Sequence, residues 1–283
     1  RTLTIGEVKM NIIQAIILGI IQGLTEFLPI SSSAHLVLVP FFFNWKLPTE
    51  QVFAFDVLVQ MGTLVAVLIF FWKDLWNIIR AWVMAIIKGK PFADAQARMG
   101  WYLILATIPA GILGLLIKDV VEAAFNSALA VGIFLLITAG LLTLGEKLGK
   151  RTRTEKDFNW KDALWMGVAQ AMSIFPGISR SGSTITGGML RNLQRPTAAR
   201  FSFLMSIPVM LAAGGLSLLD LAEMPGLGSF ILPMVIGFIA AGVVGYLSIR
   251  WLLGYLTRHS FYAFAIYCAV LGALTILVSL LRG

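Results

Sequence analysis

The chain has 283 residues, of which 58% are hydrophobic and only 13% are Asp, Glu, Lys or Arg, about half the charge of an ordinary soluble domain. This excludes a disordered chain, a collagen-like fibre and a charged coiled coil, and it argues against a soluble globular enzyme. A single cysteine, Cys268, leaves no intrachain disulfide or multi-cysteine zinc site, and two histidines, His35 and His259, cannot build a histidine cage.

In chain order, residues 10–45 come first. They are apolar but interrupted by Glu26, Pro29, Ser31-Ser32-Ser33, His35 and Pro40. Proline breaks helices and the serines offer hydroxyls to freed backbone, so this stretch reads as two short helices joined by a polar turn, a re-entrant hairpin. Its apolar run has no basic n-region or small-residue cleavage site, so no cleavable signal peptide is expected. Residues 53–72 form a span interrupted only by Asp56. Loop 73–98 is basic, and 99–117 and 123–145 are uncharged and long enough to cross a bilayer. After the basic loop 146–161, residues 163–190 repeat the broken pattern, with Pro176, Gly177, Ser179, Arg180, Ser181 and Gly182. Three more uncharged spans follow at 201–219, 224–249 and 259–281. No β-barrel alternation is present. The expected fold is an all-α polytopic membrane protein and a single integral membrane domain over 1–283.

The halves show a weak repeat. Ala15, Gly19, Gln22 and Ser31 have the spacing of Ala163, Gly167, Gln170 and Ser179. Each half, about 10–147 and 161–282, then holds one hairpin and three spans. Three is odd, so the second repeat is expected inverted, a recurrent membrane design with broken helices meeting at the midplane. With these spans, sixteen of the Lys and Arg residues fall on one side. Five fall on the other: Arg1, Lys9, Lys46, Lys118 and Arg282. The positive-inside rule puts the sixteen in the cytoplasm. The net charge of +8 is then a topology signal, and no soluble basic face suggests nucleic acid.

Ionisable side chains at membrane depth are expensive and mark function by default. Glu26 and His35 belong to the first hairpin and Arg180 to the second. Arg180 is a planar fork suited to phosphate. Ser179, Ser181, Ser183 and Thr184 add hydroxyls, and Gly177 and Gly182 let the backbone approach a ligand. A helix N-terminus just after this turn favours an anion. In the first hairpin, Ser32 or Ser33 could be a nucleophile and His35 its general base, or His35 itself could attack phosphorus while the serines orient phosphate. Gln22 and Glu26 share a helix face that can hold Mg²⁺ or Ca²⁺ through oxygen, or orient His35. The competing structural readings are an Arg180–Glu26 pair that only stabilises the fold, a satisfied buried histidine, and serines that cap helices. Asp56 and Gln60 suit an interfacial role as well as a functional one. His259 reads as a loop residue and Cys268 as a small buried one.

Gln22-Gly-Leu-Thr-Glu26-Phe-Leu-Pro29-Ile-Ser-Ser-Ser-Ala-His35 resembles the (Glu/Gln)-x-x-x-Glu motif and following serines and histidine of the undecaprenyl-diphosphate phosphatases of the bacitracin-resistance type. Pro176-Gly-Ile-Ser-Arg180-Ser-Gly-Ser-Thr184 is similar to their P-G-x-S-R-S-x-x-T motif, and the likeness extends to Gly187-Gly188-Met189 and Phe201-Ser202-Phe203. The resemblance implies an integral membrane hydrolase. It would remove the terminal phosphate of undecaprenyl diphosphate, recycle the lipid carrier for wall synthesis, and confer bacitracin resistance. It further implies inverted repeats with two re-entrant hairpins, a bacterial inner-membrane location, a site opening to the outer side, support by a divalent cation, and dimerisation. By position, Glu26, Ser32, His35 and Arg180 match the family's key residues, and Ser31, Ser179 and Thr184 its phosphate-site hydroxyls. Gln22 stands at the motif's first acidic position, which leaves one carboxylate on this helix face.

The mechanism expected from these residues has Arg180, the hydroxyls and a cation holding the phosphates while Ser32 attacks and His35 takes its proton. A lipid-phosphate transporter or flippase would use the same broken helices without a nucleophile and would release no phosphate. An intramembrane serine protease would leave Glu26 and Arg180 without a role.

Overall fold

Apolar runs bounded by short polar caps set the helices. In the computed structural model, which describes residues 10–222 and 230–282, Asn11 caps α1 (Ile12–Thr25) and Ser31 caps α2 (Ser32–Phe42). Then come α3 (Thr49–Phe70), α4 (Trp72–Ile87), α5 (Ala95–Leu116) capped by Asp94, α6 (Lys118–Phe125) and α7 (Ala128–Leu148) capped by Ser127. Asn159 caps α8 (Trp160–Met172), Ser179 caps α9 (Arg180–Leu190), and α10 (Arg195–Ala222), α11 (Ile231–Tyr255) and α12 (Tyr262–Arg282) complete the chain. Among the described residues, six helices, α3, α5, α7, α10, α11 and α12, contain segments long and apolar enough to cross a bilayer. The chain is an all-helical, multi-pass membrane protein. Many large apolar side chains face outward on these helices, from Leu115 on α5 to Ile239 on α11 and Val270 on α12, as a lipid surround requires.

Both hairpins form. The arms α1 and α2, and α8 and α9, have 11 to 14 residues, at most about 21 Å, well short of a ~30 Å hydrocarbon core. Each first arm docks through a glycine on a helix of the other half. A Cβ on Gly19 would lie 2.6 Å from the Gly237 carbonyl of α11, and one on Gly167 would lie 2.6 Å from the Ala106 carbonyl of α5. The four paired positions of the hairpins have matching local surroundings. Ala15 and Ala163 are buried, Gly19 and Gly167 make the close approaches, Gln22 and Gln170 are buried, and Ser31 and Ser179 cap the second arms. The second arm α9 is sheathed by α7, α8 and α10, and Ser181 to Met189 are all buried.

Loop 73–98 departs from expectation, since most of it is the amphipathic helix α4. Leu75, Ile78 and Ala85 face inward at helical spacing and Trp82 packs on Gly100 of α5, while Trp72, Trp76, Ile79 and Val83 are exposed. The charges Lys73, Asp74 and Arg80 interrupt the apolar run without breaking its 3.6-residue period. The expected span at 123–145 begins later, because residues 118–125 form the separate helix α6. Arg1, Lys9 and residues 223–229, including the start of the span expected at 224–249, lie outside the described residues.

Contacts between connecting segments sort into two ends. At one end the Met10 N–H donates to Gln51 Oε1 (3.0 Å), and Arg282 donates to the Phe41 carbonyl (2.6 Å). At the other, two buried carboxylates gather arginines. Glu146 of α7 accepts from Arg195 Nε (2.7 Å), Arg151 (2.6 Å) and the Phe261 N–H (2.8 Å). Asp162 of α8 accepts from both terminal nitrogens of Arg153 (2.8 and 2.6 Å) and from Arg191 Nε (2.9 Å). Arg200 pairs with Asp74 at 2.8 Å. Five arginines counted as topology signals are therefore also fold-building ion pairs.

Candidate active site

The site is assembled where the hairpin tips meet. Pro29 ends the first arm's turn, and Ser31 then adopts φ 68°, ψ 98°, a strained backbone for a residue with a Cβ. In this conformation Ser31 Oγ caps α2 at the Ala34 N–H (3.3 Å) and accepts the Gly177 N–H of hairpin two (3.2 Å). Gly177 has φ 107°, which glycine adopts freely, and a Cβ there would meet the Val131 carbonyl at 2.6 Å. Ser181 Oγ donates to the Leu28 carbonyl at 3.2 Å. Thr138 of α7 buttresses the second tip, donating to the Gly177 carbonyl (2.8 Å) and accepting the Ser179 N–H (2.9 Å). The N-termini of α2 and α9 consequently open at the same place, and their dipoles favour an anion there.

Glu26 is the hub. Its Oε2 accepts from Ser32 Oγ (2.6 Å) and Gln22 Nε2 (3.0 Å), and its Oε1 accepts from Arg180 Nη2 (2.5 Å). The Glu26 and Arg180 side chains are 8% and 17% exposed. Nη2 also approaches Met210 Sδ of α10. Four buried polar atoms of the hairpin arms, Arg180 Nη1, Ser183 Oγ, Gln22 Oε1 and Gln170 Oε1, have no protein partner. Native interiors rarely leave such groups unmatched, and the two that can donate, Arg180 Nη1 and Ser183 Oγ, suit phosphate oxygens.

The remaining predicted residues divide by how they are engaged. Ser33 shares a hydrogen bond with Ser31 (3.1 Å). Ser179 caps α9 at the Gly182 N–H (3.1 Å) and lies 3.2 Å from Ser181 Oγ. Thr184 Oγ1 is held by Ser202 Oγ at 2.6 Å and by the Arg180 carbonyl. Ser31, Ser179 and Thr184 thus carry structural hydrogen bonds as well as lining the tips. His35 is buried, and both ring nitrogens are engaged, Nδ1 with the Ser31 carbonyl and Nε2 with the Tyr267 hydroxyl of α12, each at 2.7 Å. Neither nitrogen meets Ser32 Oγ. Asp56 and Gln60 of α3 make no side-chain hydrogen bond to these residues. His259 stacks on Tyr255 away from the tips, and Cys268 is buried with its thiol 3.8 Å from the Pro29 carbonyl.

A cation would find few ligands. Among the described residues no group of three His, Cys, Asp or Glu could hold a metal. Glu26 and the unpartnered Gln22 Oε1 offer two oxygens, which fits a hard cation held mainly by substrate phosphates and water.

The sequence model for "Bacitracin resistance protein BacA" matches residues 15–274. The chain belongs to the BacA family. Curated relatives over nearly all of its length carry the same printed description, "Undecaprenyl-diphosphatase". The protein from Methanosphaera stadtmanae is 44% identical over 95% of this chain and 99% of its own. Those from Chlorobium phaeobacteroides (strain BS1) and Desulforudis audaxviator are 45% and 41% identical, covering 93% and 97% of this chain and 95% and 100% of their own. The BacA match spans both hairpins, so the two tip motifs and the helices that carry them fall inside one family pattern.

Three contributors were missed in the sequence: Thr138, Met210 and Tyr267. Each acts from a helix remote in sequence from the motif it serves, and no local spacing announces it. A polar residue inside an uncharged span was the only available signal for Thr138 and Tyr267, and none existed for Met210. Ser202 was named within the Phe201-Ser202-Phe203 likeness, without its contact to Thr184.

Proposed function

We propose that the chain is an undecaprenyl-diphosphatase, hydrolysing undecaprenyl diphosphate to undecaprenyl phosphate and inorganic phosphate, and that this recycling underlies bacitracin resistance. The observation that carries the reading is one line of contacts. Ser32 Oγ rests on Glu26, Glu26 pairs with Arg180, and Arg180 has a second terminal nitrogen without a partner.

The diphosphate enters between the tips while the prenyl chain stays in the bilayer. Arg180 Nη1, Ser183 Oγ and the α2 and α9 N-termini receive the phosphoryl oxygens. Ser32 Oγ attacks the terminal phosphorus and its proton passes to Glu26. The contact at 2.6 Å favours Glu26 over His35 as that acceptor. The anhydride P–O bond breaks and undecaprenyl phosphate leaves. Water then attacks the phosphoserine and returns Ser32 as inorganic phosphate departs. A divalent cation bound by Glu26 and Gln22 Oε1 would add charge neutralisation on the phosphates.

The two halves are read as inverted repeats, about 10–147 and 161–282, supported by the matched positions of the two hairpins. The arginine-rich end is read as cytoplasmic by the positive-inside rule, in a bacterial inner membrane, with the site opening to the outer side. A homodimer is carried by the resemblance alone. The transporter reading leaves the Ser32–Glu26 contact without work.

The test is phosphate release from a prenyl diphosphate by detergent-purified protein, with and without EDTA, beside Arg180→Ala. Release by the wild type and its loss in the variant are expected, and the EDTA arm reports on the cation. Folded protein that releases no phosphate under any condition would return the site to a lipid-phosphate transporter.

A further inference from the structure

We infer that Tyr267 is a positioning residue of this site, acting through His35 and Ser31 to aim Ser32. The inference deepens the proposed hydrolysis and rests on Ser32 being its nucleophile. The Ser31 carbonyl can only accept, so His35 Nδ1 carries a proton. Nε2 is then left with a lone pair that accepts from the Tyr267 hydroxyl. The two rings lie parallel, 5.7 Å apart with 5° between planes. Tyr267, His35 and Ser31 thus form one hydrogen-bonded line from α12 to the tip of hairpin one.

What the line holds is the strained residue. Ser31 sits at φ 68° with a Cβ, a conformation that persists only when its surroundings over-determine it. Its carbonyl is fixed by His35 and its hydroxyl by Gly177, so the next side chain, Ser32, has a defined start and its Oγ reaches Glu26. Removing the Tyr267 hydroxyl frees His35 Nε2. The ring can then rotate or exchange tautomers, and the Ser31 carbonyl loses its fixed donor. Cys268, the next residue of α12, touches the Pro29 carbonyl, so α12 seats this turn at two adjacent points.

The variant Tyr267→Phe keeps the ring and its packing and removes only the hydroxyl. Its kcat on a prenyl diphosphate is expected to fall about tenfold or more, as for other small misplacements of a reacting group, with KM unchanged. The second readout needs no turnover. The chain has only two histidines, so ¹⁵N-imidazole spectra of the detergent-solubilised full chain contain two residues, and His259→Gln assigns them. Wild-type His35 is expected with its proton on Nδ1, and Tyr267→Phe is expected to shift or average its ring nitrogens. A wild-type proton on Nε2, unchanged His35 signals in Tyr267→Phe, or a changed spectrum with wild-type kcat would each overturn the inference. Ser32→Ala measured alongside separates this from the underlying reading. Turnover surviving there removes the nucleophile, whereas the spectrum reports the Tyr267–His35 contact independently.

Discussion

Arg180 does two jobs that a single substitution exposes together. One terminal nitrogen pairs with Glu26, and the other, which has no protein partner, receives phosphate in the proposed mechanism. Arg180→Ala is expected to lower kcat about 10³-fold or more, by analogy with arginines that stabilise phosphoryl transfer. It also leaves Glu26 buried and unpaired, so the melting temperature should fall, consistent with about 3–5 kcal/mol for breaking such a pair. Measuring both separates the roles. Arg180→Lys keeps the charge but loses the fork, and should recover most of the melting temperature while remaining slow. Glu26→Gln keeps one oxygen, which can still accept from Arg180, while its amide N–H groups face Ser32 Oγ and it is no base, so about 10²–10⁴-fold loss of turnover is expected in the same phosphate assay. The residues of this hub were legible because each lies in a dense local motif, with its charge isolated in an apolar stretch. The contact between them was not, because Glu26 and Arg180 are 154 positions apart. The proposed proton acceptor, Glu26, differs from His35, the one expected from proximity in sequence. His35 is three residues from Ser32, yet the turn directs its ring toward α12.

The hairpins depend on close approaches that tolerate no added atom. Gly177 combines a left-handed φ with a carbonyl 2.6 Å from where a Cβ would stand. Gly177→Ala should therefore loosen the tip and cost about 1–3 kcal/mol as well as activity, read as a lower melting temperature beside a reduced kcat. Gly167→Val tests docking without touching the tip. It pushes α8 from Ala106 of α5 and is expected to destabilise by a similar amount while any remaining folded protein keeps its KM. The six long spans and the two hairpins were readable from uncharged runs and their breakers. Boundaries were not, because helices extend through charges that pair in space. The α10 helix begins at Arg195 rather than near 201 since Arg195 and Arg200 find Glu146 and Asp74. The amphipathic α4 was read as loop because charge density outweighed its period.

Across the whole molecule, every contact between connecting segments named above joins segments assigned to the same side by the arginine and lysine count. A cysteine-free background, Cys268→Ser, allows a direct check. Lys46→Cys and Lys156→Cys lie in exposed positions at opposite ends. An impermeant thiol reagent on intact cells is expected to label the first and spare the second until the membrane is opened. The reverse result would invert the orientation while leaving the fold untouched. The architecture was legible because membrane insertion is governed by coarse quantities, run length and charge. The ion pairs that finish the fold were not, since they depend on which acids end up beside which bases.

Those ion pairs carry a consequence for biogenesis. On the proposed orientation, Arg151, Arg153, Arg191 and Arg195 act as retention signals while the nascent chain threads into the bilayer. Once the helices assemble, Glu146 and Asp162 neutralise them. Orientation and locking are therefore successive uses of the same guanidinium groups. A chain bearing Asp162→Asn would be threaded correctly and then fail to latch, making it a substrate for quality-control proteolysis rather than a protein facing the wrong way.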